Sequence, residues 1–370
     1  MENIVIDTLT DTEIAPCLQK GPLAASGNAL VAAAGNLGGG PFASVLRAWC
    51  VPYLFTAMEQ LLDTGQDPNG GVNAAMDDLT RFLENAKAPG FGRLSTGAQD
   101  PATTNGHPAP DVKERTGAHY GNLFKEFSSR SFWDEPKMLL QQRLERNGIS
   151  ASDIANKKVL DSGCGGGRYS VAWRLLGAAP VVGLDISPVN IDDASRRVEM
   201  ADLDQVTFQA GNVLDLPFAE NEFDIVFSNG VLHHTTDWEK GVSELVRVLK
   251  PGGFGWLYLI EDPGGVFWDV IEILRVIMKN EEKDRARKAL QVLEMPANRI
   301  FYMLDHVMVP INVRLTPAEI EASLASAGAT EIRRLERGAD LDRIERVFSG
   351  DAFASERFGV GENRFLFSKA

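Results

Sequence analysis

Short apolar runs alternate with helical patterns between residues 158 and 260 of the chain. The apolar runs have the length of buried strands, and the segments between them repeat apolar residues every three or four positions, as amphipathic helices do. The predicted strands are residues 158–162, 181–186, 206–210, 223–228 and 254–260, and the predicted helices are residues 167–176, 189–201 and 238–249. Such alternation is typical of a parallel sheet covered by helices on both faces.

The regions on either side of this alternation have different patterns. Residues 1–110 hold nine of the eighteen prolines, and helical spacing is confined to residues 43–62 and 72–85. We expect a partly loose helical accessory region that acts as an oligomerisation arm or as a cover of the active site. The alternative is a poorly ordered extension. A linker over residues 87–110 follows in either case. Residues 111–370 then form the main domain. Within it residues 112–147 are mostly helical, and residues 261–316 interrupt the alternation before a helix at 317–327 and strands at 330–335 and 364–368.

Charge and cysteine content exclude several classes of protein. The net charge of −14 and the lack of an evident basic stripe argue against nucleic-acid binding. The three cysteines are far apart and lack zinc-ligand spacing, so we expect neither a metal site nor disulfides, which is typical of the cytoplasm. The acidic N-terminus does not resemble a signal peptide, and the absence of a run of about 18 apolar residues predicts no stable membrane insertion.

The stretch LDSGCGGGRYS, residues 160–170, places four glycines between a predicted strand and a predicted helix. No lysine follows the glycines, so the loop is a poor phosphate-binding loop. Asp161 would repel a pyrophosphate but would suit an ammonium group. Asp185 ends the next strand, 20 residues after Gly165, where a carboxylate can bind ribose hydroxyls. A ligand with a nucleoside at one end and an amino acid at the other fits both carboxylates, Asp185 at its ribose and Asp161 at its ammonium group. S-adenosylmethionine is such a ligand.

The order of motifs over about residues 150–260 resembles the class I S-adenosylmethionine-dependent methyltransferases. The matching segments are Asp161-x-Gly163-x-Gly165-x-Gly167, residues 182–187, residues 211–218, residues 223–226, residues 230–234 and residues 247–253. The family usually has aspartate where this chain has Asn212, whose side chain keeps an acceptor oxygen for the adenine amine. The resemblance implies an α/β fold: a Rossmann-like seven-stranded sheet with helices on both faces, a helical N-terminal region and a lid insertion at about residues 261–316.

The same resemblance implies residue roles. S-adenosyl-L-methionine would be the cofactor and S-adenosyl-L-homocysteine the product. Asp161 and Gly163 would face the methionine end, Gly165 and Gly167 would allow close approach, and Asp185 would hold the ribose. The other cofactor contacts would be Cys164, Ile186, Asn212, Val213, Asn229, Gly230 and, from a helix that closes over the cofactor, Tyr120. We interpret Cys164 as a small packing residue rather than as a reactive thiol.

Two adjacent histidines supply the candidate catalytic groups. His233 and His234 follow the fourth predicted strand, near the expected methyl group, and histidine titrates in the useful range. Either one of them positions or deprotonates the acceptor, or both only cap the loop. From the lid we expect Trp268, Tyr302, Asp305 and His306 to contact the substrate. For the apolar helix of residues 267–274, which contains Trp268, the alternatives are ordinary core, a dimer face or a membrane-surface helix.

The sequence therefore predicts an enzyme that moves a methyl group to an oxygen, nitrogen or sulfur nucleophile of a small molecule. Two alternatives stay open: a peptide or protein side-chain methyltransferase, and a non-catalytic regulatory protein that binds S-adenosylmethionine. The expected partner is a small-molecule substrate, with a homodimer as one expected assembly and the cytoplasm as the expected location.

Overall fold

Seven strands form one sheet in the order β3-β2-β1-β4-β5-β7-β6. The strands are β1 Val159–Ser162, β2 Val181–Asp185, β3 Val206–Ala210, β4 Phe223–Asn229, β5 Leu249–Leu259, β6 Ala329–Arg334 and β7 Asn363–Lys369. Strands β1 to β5 are parallel, whereas β7 pairs antiparallel with β5 and β6. The strand order reverses at β1 and β4, so their carboxyl ends border the crevice in which open α/β sheets bind ligands.

The computed structural model describes residues 9–86 and 130–370. In those ranges the α-helices are α1 Asp11–Ile14, α2 Ala24–Gly35, α3 Pro41–Asp63, α4 Pro68–Ala86, α5 Glu135–Arg146, α6 Ala151–Ile154, α7 Arg168–Leu175, α8 Pro188–Met200, α9 Trp238–Val248, α10 Gly265–Met278, α11 Lys283–Gln291, α12 Ala297–Met308, α13 Pro317–Ser326, α14 Arg343–Phe348 and α15 Ala354–Phe358. The expectations for Tyr120 and for the linker at 87–110 lie outside the described residues.

Helices cover both faces of the sheet because successive strand side chains point to opposite sides. Leu160 of β1 packs in a core that includes α9 and α13. Its neighbour Val159 packs in a separate core with α5 and α7, where Trp173 is fully buried. Burial on both faces explains why the central strands are continuously apolar. The predicted α/β fold class is confirmed.

A third core joins the N-terminal helices to the insertion that follows β5. Leu30 of α2, Phe55 of α3 and Met76 of α4 share this core with Ile273 of α10 and Met303 of α12. Helices α10 to α12 lie in the insertion, which leaves the sheet after β5 and returns at the bridge between Glu261 and Leu315. The N-terminal helices and the insertion therefore bury a common apolar surface.

Most predicted elements agree with the structure to within one or two residues. Within the sheet the main difference is β5, which begins at Leu249 instead of residue 254. Phe223 pairs with Leu249 before the register shifts to pair Ile225 with Phe254, so the glycine-containing turn is a bulge within the strand. Outside the sheet, helices α2, α14 and α15 were not predicted, and α4 begins at Pro68 instead of residue 72. No helix in the described ranges combines the length and apolar character needed to cross a membrane.

Candidate active site

The glycine loop between β1 and α7 is held against β2. The backbone N–H groups of Gly163 and Cys164 donate to the carbonyl oxygen of Leu184 at 2.8 and 2.9 Å. Gly163 has φ +83°, and a Cβ there would lie 2.3 Å from a methyl carbon of Val231. A Cβ on Gly167, at φ +82°, would lie 2.6 Å from the Phe208 ring. The glycines are therefore required by packing within the protein, in addition to any ligand.

Asp161 is the penultimate residue of β1, just before this loop, and is 2% exposed. The Ser170 hydroxyl donates a 2.6 Å hydrogen bond to its Oδ2 atom. Burial, opposed by the hydrogen bond from Ser170 and assisted by the charge of Asp185, raises the pKa of Asp161 to about 7. A cationic group beside Asp161 would stabilise the ionised form, which is the behaviour expected of a carboxylate that binds an ammonium group.

Asp185 ends β2, and its carboxylate organises the neighbouring loops. It accepts hydrogen bonds from the backbone N–H of Gly165 at 2.9 Å, from that of Ser187 at 2.9 Å, and from the Asn190 amide at 3.2 Å. Burial nevertheless raises the pKa of Asp185. A carboxylate has about four acceptor positions, so three donors leave capacity for a ribose hydroxyl.

Cys164 packs within the loop. A Cβ added to Gly183 would lie 2.9 Å from the Cys164 sulfur, which shows that the thiol fills the space beside β2. Burial, together with the charges of Asp161 and Asp185, raises the pKa of the Cys164 thiol well above its usual value. The thiol stays protonated at neutral pH, so the environment supports a packing role.

The edge beyond β2 and β3 carries the predicted adenine contacts. Asn212 Oδ1 accepts a 3.1 Å hydrogen bond from the backbone N–H of Leu214, so it closes a turn. The oxygen that we expected to meet the adenine amine is therefore already engaged once, with a second lone pair remaining. The other two predicted adenine contacts differ in exposure: Val213 is buried, with 8% of its surface exposed, and Ile186, the residue that follows β2, is partly exposed.

Tyr258 of β5 lies beside the end of β4, where sequence reasoning placed Asn229 and Gly230. The backbone N–H of Gly230 donates to the Tyr258 carbonyl at 3.1 Å, and a Cβ at Gly230 would lie 3.6 Å from the Tyr258 ring. Asn229 Oδ1 is buried without a hydrogen-bond partner in the described part of the chain. Tyr258 was missed because it occupies an apolar strand pattern that gives no signal for a site.

The two histidines have opposite hydrogen-bond roles. His233 is 2% exposed, and its Nδ1 accepts a 3.2 Å hydrogen bond from the backbone N–H of Ile260. The neutral ring must then carry its proton on Nε2. Burial, followed by the charges of His234 and His306, lowers the pKa of His233 well below its usual value. His234 Nδ1 lies 2.7 Å from the Ile311 carbonyl oxygen, which can only accept, so Nδ1 carries the proton and Nε2 is the basic nitrogen.

Three of the predicted lid contacts come together in one cluster. His306 lies 5.6 Å from Trp268 and 4.6 Å from Tyr302, measured between ring centroids. Phe55 of α3 packs edge-on against Tyr302 at 5.9 Å. Burial lowers the pKa of His306, and the charge of Asp305, on the same helix, opposes this shift only in part.

Polar groups missed by sequence reasoning hold this cluster in place. Glu261 Oε1 accepts hydrogen bonds from Trp268 Nε1 at 2.7 Å and from Arg343 at 2.8 Å. The Arg343 guanidinium also lies over the Phe267 ring at 4.4 Å. Glu261 is fully buried, whereas the Arg343 side chain keeps 19% of its surface. Neither residue lies in a motif, so only the contacts between segments distant in the sequence reveal them.

The fold is Rossmann-like, and the Asp161 and Asp185 carboxylates lie near the carboxyl ends of the adjacent strands β1 and β2. Residues 160–257 match the family model described as a methyltransferase domain. A relative, the O-methyltransferase rstn1 of Aspergillus nomiae, is 30% identical over 155 residues, which are 37% of this chain and 69% of the relative. The chain belongs to the class I S-adenosylmethionine-dependent methyltransferases, and S-adenosylmethionine is the cofactor of that family.

Two further relatives are bacterial. The 27-O-demethylrifamycin SV methyltransferase of Amycolatopsis mediterranei is 28% identical over 162 residues, covering 42% of this chain and 60% of the relative. An uncharacterized methyltransferase of Synechocystis is 38% identical over 128 residues, covering 34% of this chain and 58% of the relative. The chain thus spans about 60% of the length of these two relatives.

Proposed function

We propose that this chain transfers the methyl group of S-adenosylmethionine to an oxygen, nitrogen or sulfur nucleophile of a small molecule. The observation that carries the proposal is the position of Asp161 and Asp185 at the ends of adjacent strands. They lie on the same edge of the sheet as the histidine pair and the aromatic cluster. One cofactor-binding region therefore adjoins one region for an acceptor.

The described residues fit the cofactor. Asp161 would hold the ammonium group, because its raised pKa marks a buried carboxylate that has no cationic partner in the part of the chain that the structure describes. Asp185 would bind the ribose with its remaining acceptor capacity. The rest of the proposed cofactor contacts are Gly163, Cys164, Gly165, Gly167, Ile186, Asn212, Val213, Asn229 and Gly230. When bound, the cofactor supplies an electrophilic methyl group on a sulfonium.

Of the two histidines, we assign the proton-accepting role to His234. Its Nδ1 proton is directed to the Ile311 carbonyl, so Nε2 can accept a proton from the methyl acceptor. His233 cannot do this readily, since its Nδ1 already accepts from Ile260 and burial lowers its pKa. His233 would instead fix the loop that carries His234, whose ring centroid lies 4.1 Å from its own.

A small-molecule acceptor is favoured over a protein side chain by the enclosure of the acceptor region. Tyr258 and Tyr302 keep only part of their surface exposed beside the buried Trp268 and Glu261, which suits a ligand that is surrounded rather than a protruding peptide. The relative that acts on 27-O-demethylrifamycin SV, as its name states, also supports a small acceptor. A purely regulatory role would give no reason for the fixed His234 tautomer.

The N-terminal helices are proposed to form the cover of the acceptor region together with the insertion at 261–316. The support is their shared core and the contact of Phe55 with Tyr302. We also propose a cytoplasmic biosynthetic role, in keeping with three free cysteines. A homodimer is a further proposal, which sedimentation velocity would test.

Calorimetry and a labelled-methyl assay test the proposed function. The full chain should bind S-adenosylmethionine and should label a small-molecule fraction of a cell extract. His234→Asn should lower turnover about 100-fold while cofactor affinity is retained, and His233→Asn serves as the comparison at the neighbouring ring. No cofactor binding would refute the proposal, label confined to the protein fraction would favour the side-chain alternative, and binding without any labelling would favour the regulatory one.

A further inference from the structure

The acceptor region contains polar groups that the fold itself does not use. The hydroxyl groups of Tyr258 and Tyr302 make no hydrogen bond to any residue that the structure describes, although both side chains are largely enclosed. Glu261 Oε2 is completely buried and also lacks a partner there. Buried polar groups are normally paired, and each unpaired one costs free energy. Glu261 Oε2 has no accessible surface, whereas Tyr258 and Tyr302 keep partial exposure, so their unpaired hydroxyl groups are the ones that can bind a ligand.

Aromatic rings surround these polar groups. Tyr302, His306 and Trp268 form a continuous ring cluster, with centroid distances of 4.6 Å from Tyr302 to His306 and 5.6 Å from His306 to Trp268. Tyr258 lies 6.0 Å from His233, and the charges of Arg343 and Glu362 act on both Tyr258 and Tyr302. Flat apolar walls of this kind match a planar ring system, because aromatic groups pack through offset and edge-on contacts.

The local charges select against an anionic ligand. Three arginines lie over the rings: Arg343 over Trp268, Arg364 over Tyr258 and Arg299 over Tyr302. Each is already paired with a carboxylate, Arg343 with Glu261 at 2.8 Å, Arg364 with Asp342 at 3.1 Å and Arg299 with Glu59. Burial and then the charge of Glu261 raise the pKa of Tyr258, so its hydroxyl stays protonated and can donate. The same carboxylates would repel a carboxylate or phosphate on the ligand. The ligand that fits is uncharged.

We infer that the methyl acceptor is an uncharged aromatic molecule with at least two oxygen substituents, recognised by the hydroxyl groups of Tyr258 and Tyr302. This inference rests on the proposed function. One hydroxyl oxygen attacks the methyl carbon, the carbon–sulfur bond breaks with its electron pair kept by sulfur, and the hydroxyl proton passes to His234 Nε2. The second oxygen substituent is held by the tyrosines and orients the ring.

Four probes test the inference with the full chain saturated with S-adenosylhomocysteine. They are 2,3-dihydroxynaphthalene, 2-naphthol, 3-hydroxy-2-naphthoate and cyclohexane-1,2-diol. Calorimetry should show the dihydroxy probe binding about tenfold tighter than each of the others, since losing one partner of a hydrogen-bonding site has roughly that effect. The dihydroxy probe should also be methylated by S-adenosylmethionine in the labelled-methyl assay.

Two phenylalanine variants remove the hydroxyl groups without removing the rings. Tyr258→Phe and Tyr302→Phe should each reduce the preference for 2,3-dihydroxynaphthalene over 2-naphthol about fivefold, with unchanged unfolding midpoints. Tyr53→Phe, at an exposed tyrosine of α3, is the matched control and should leave the preference unchanged.

Three results would overturn the inference: tighter binding of the naphthoate or the aliphatic diol, an unchanged preference in both tyrosine variants, or no binding of any probe. The wild-type comparison among probes stands even where a variant fails to fold. Separate calorimetry with S-adenosylmethionine distinguishes the two proposals. If the cofactor binds and extract is labelled while the probes fail, only this inference is wrong, and if the cofactor does not bind, the proposed function is wrong.

Discussion

Replacing Asp161 by asparagine tests the central electrostatic feature of the proposed cofactor site. The carboxylate is 2% exposed, and its pKa rises from 3.8 to about 7, chiefly because of burial. Between about pH 4 and pH 7 the folded protein therefore holds a proton that the unfolded chain has lost, so stability falls as the pH rises. The shift corresponds to at most about 4 kcal/mol.

Asp161→Asn should be as stable as the wild type near pH 4 and more stable at pH 8, by up to about 4 kcal/mol. It should also bind S-adenosylmethionine more weakly, because the neutral amide does not attract the ammonium group. Wild-type cofactor affinity should increase as the pH rises through about 7. Urea unfolding followed by circular dichroism gives the stabilities, and calorimetry gives the affinities.

Asp192→Asn is the matched control, since Asp192 is exposed on α8. It should leave both pH profiles unchanged. The reasoning is refuted if the stability difference between Asp161→Asn and the wild type is the same at pH 5 and pH 8, or if the variant binds the cofactor with wild-type affinity at pH 8.

Three further substitutions have definite expected outcomes. Asp185→Asn should weaken S-adenosylmethionine binding at least about tenfold in calorimetry, and wild-type affinity would contradict the assigned ribose contact. Gly163→Ala should destabilise the fold by about 3 kcal/mol in urea unfolding, because its Cβ would lie 2.3 Å from Val231 at φ +83°; Val231→Ala should restore part of that loss, and no loss would contradict the packing argument. Asp342→Asn should cost about 3–5 kcal/mol at neutral pH. Although burial raises the pKa of Asp342, the hydrogen bonds from Arg143 lower it overall, so the deficit should shrink only as the pH falls below about 4, and a deficit that is constant with pH would contradict this assignment.

The cofactor half of the site was largely predictable because its signals are local. The strand, the glycines and Asp161 are contiguous, and Asp185 ends the very next strand, so pattern and spacing predicted their common edge. The packing roles of Gly163 and Gly167 could not be predicted from the sequence. The side chains that exclude a Cβ at Gly163 and Gly167 come from Val231 and Phe208, which are distant in the sequence.

The acceptor half depended on contacts between segments far apart in the chain. Trp268, Tyr302 and His306 were predicted as substrate contacts from one insertion, but Tyr258 and Arg343 were not. The pairing of Arg343 with Glu261 joins residues 82 positions apart, and a periodic sequence pattern cannot predict a contact at that separation.

The sequence by itself determined the order of strands and helices over residues 158–260 and the two carboxylates of the proposed cofactor site, because these depend on local period and spacing. Only the tertiary structure decided how two adjacent histidines differ. His233 and His234 are indistinguishable in sequence, yet one accepts from the backbone N–H of Ile260 and the other donates to the carbonyl of Ile311. Those partners come from β5 and from the loop after α12, and folding alone brings them together.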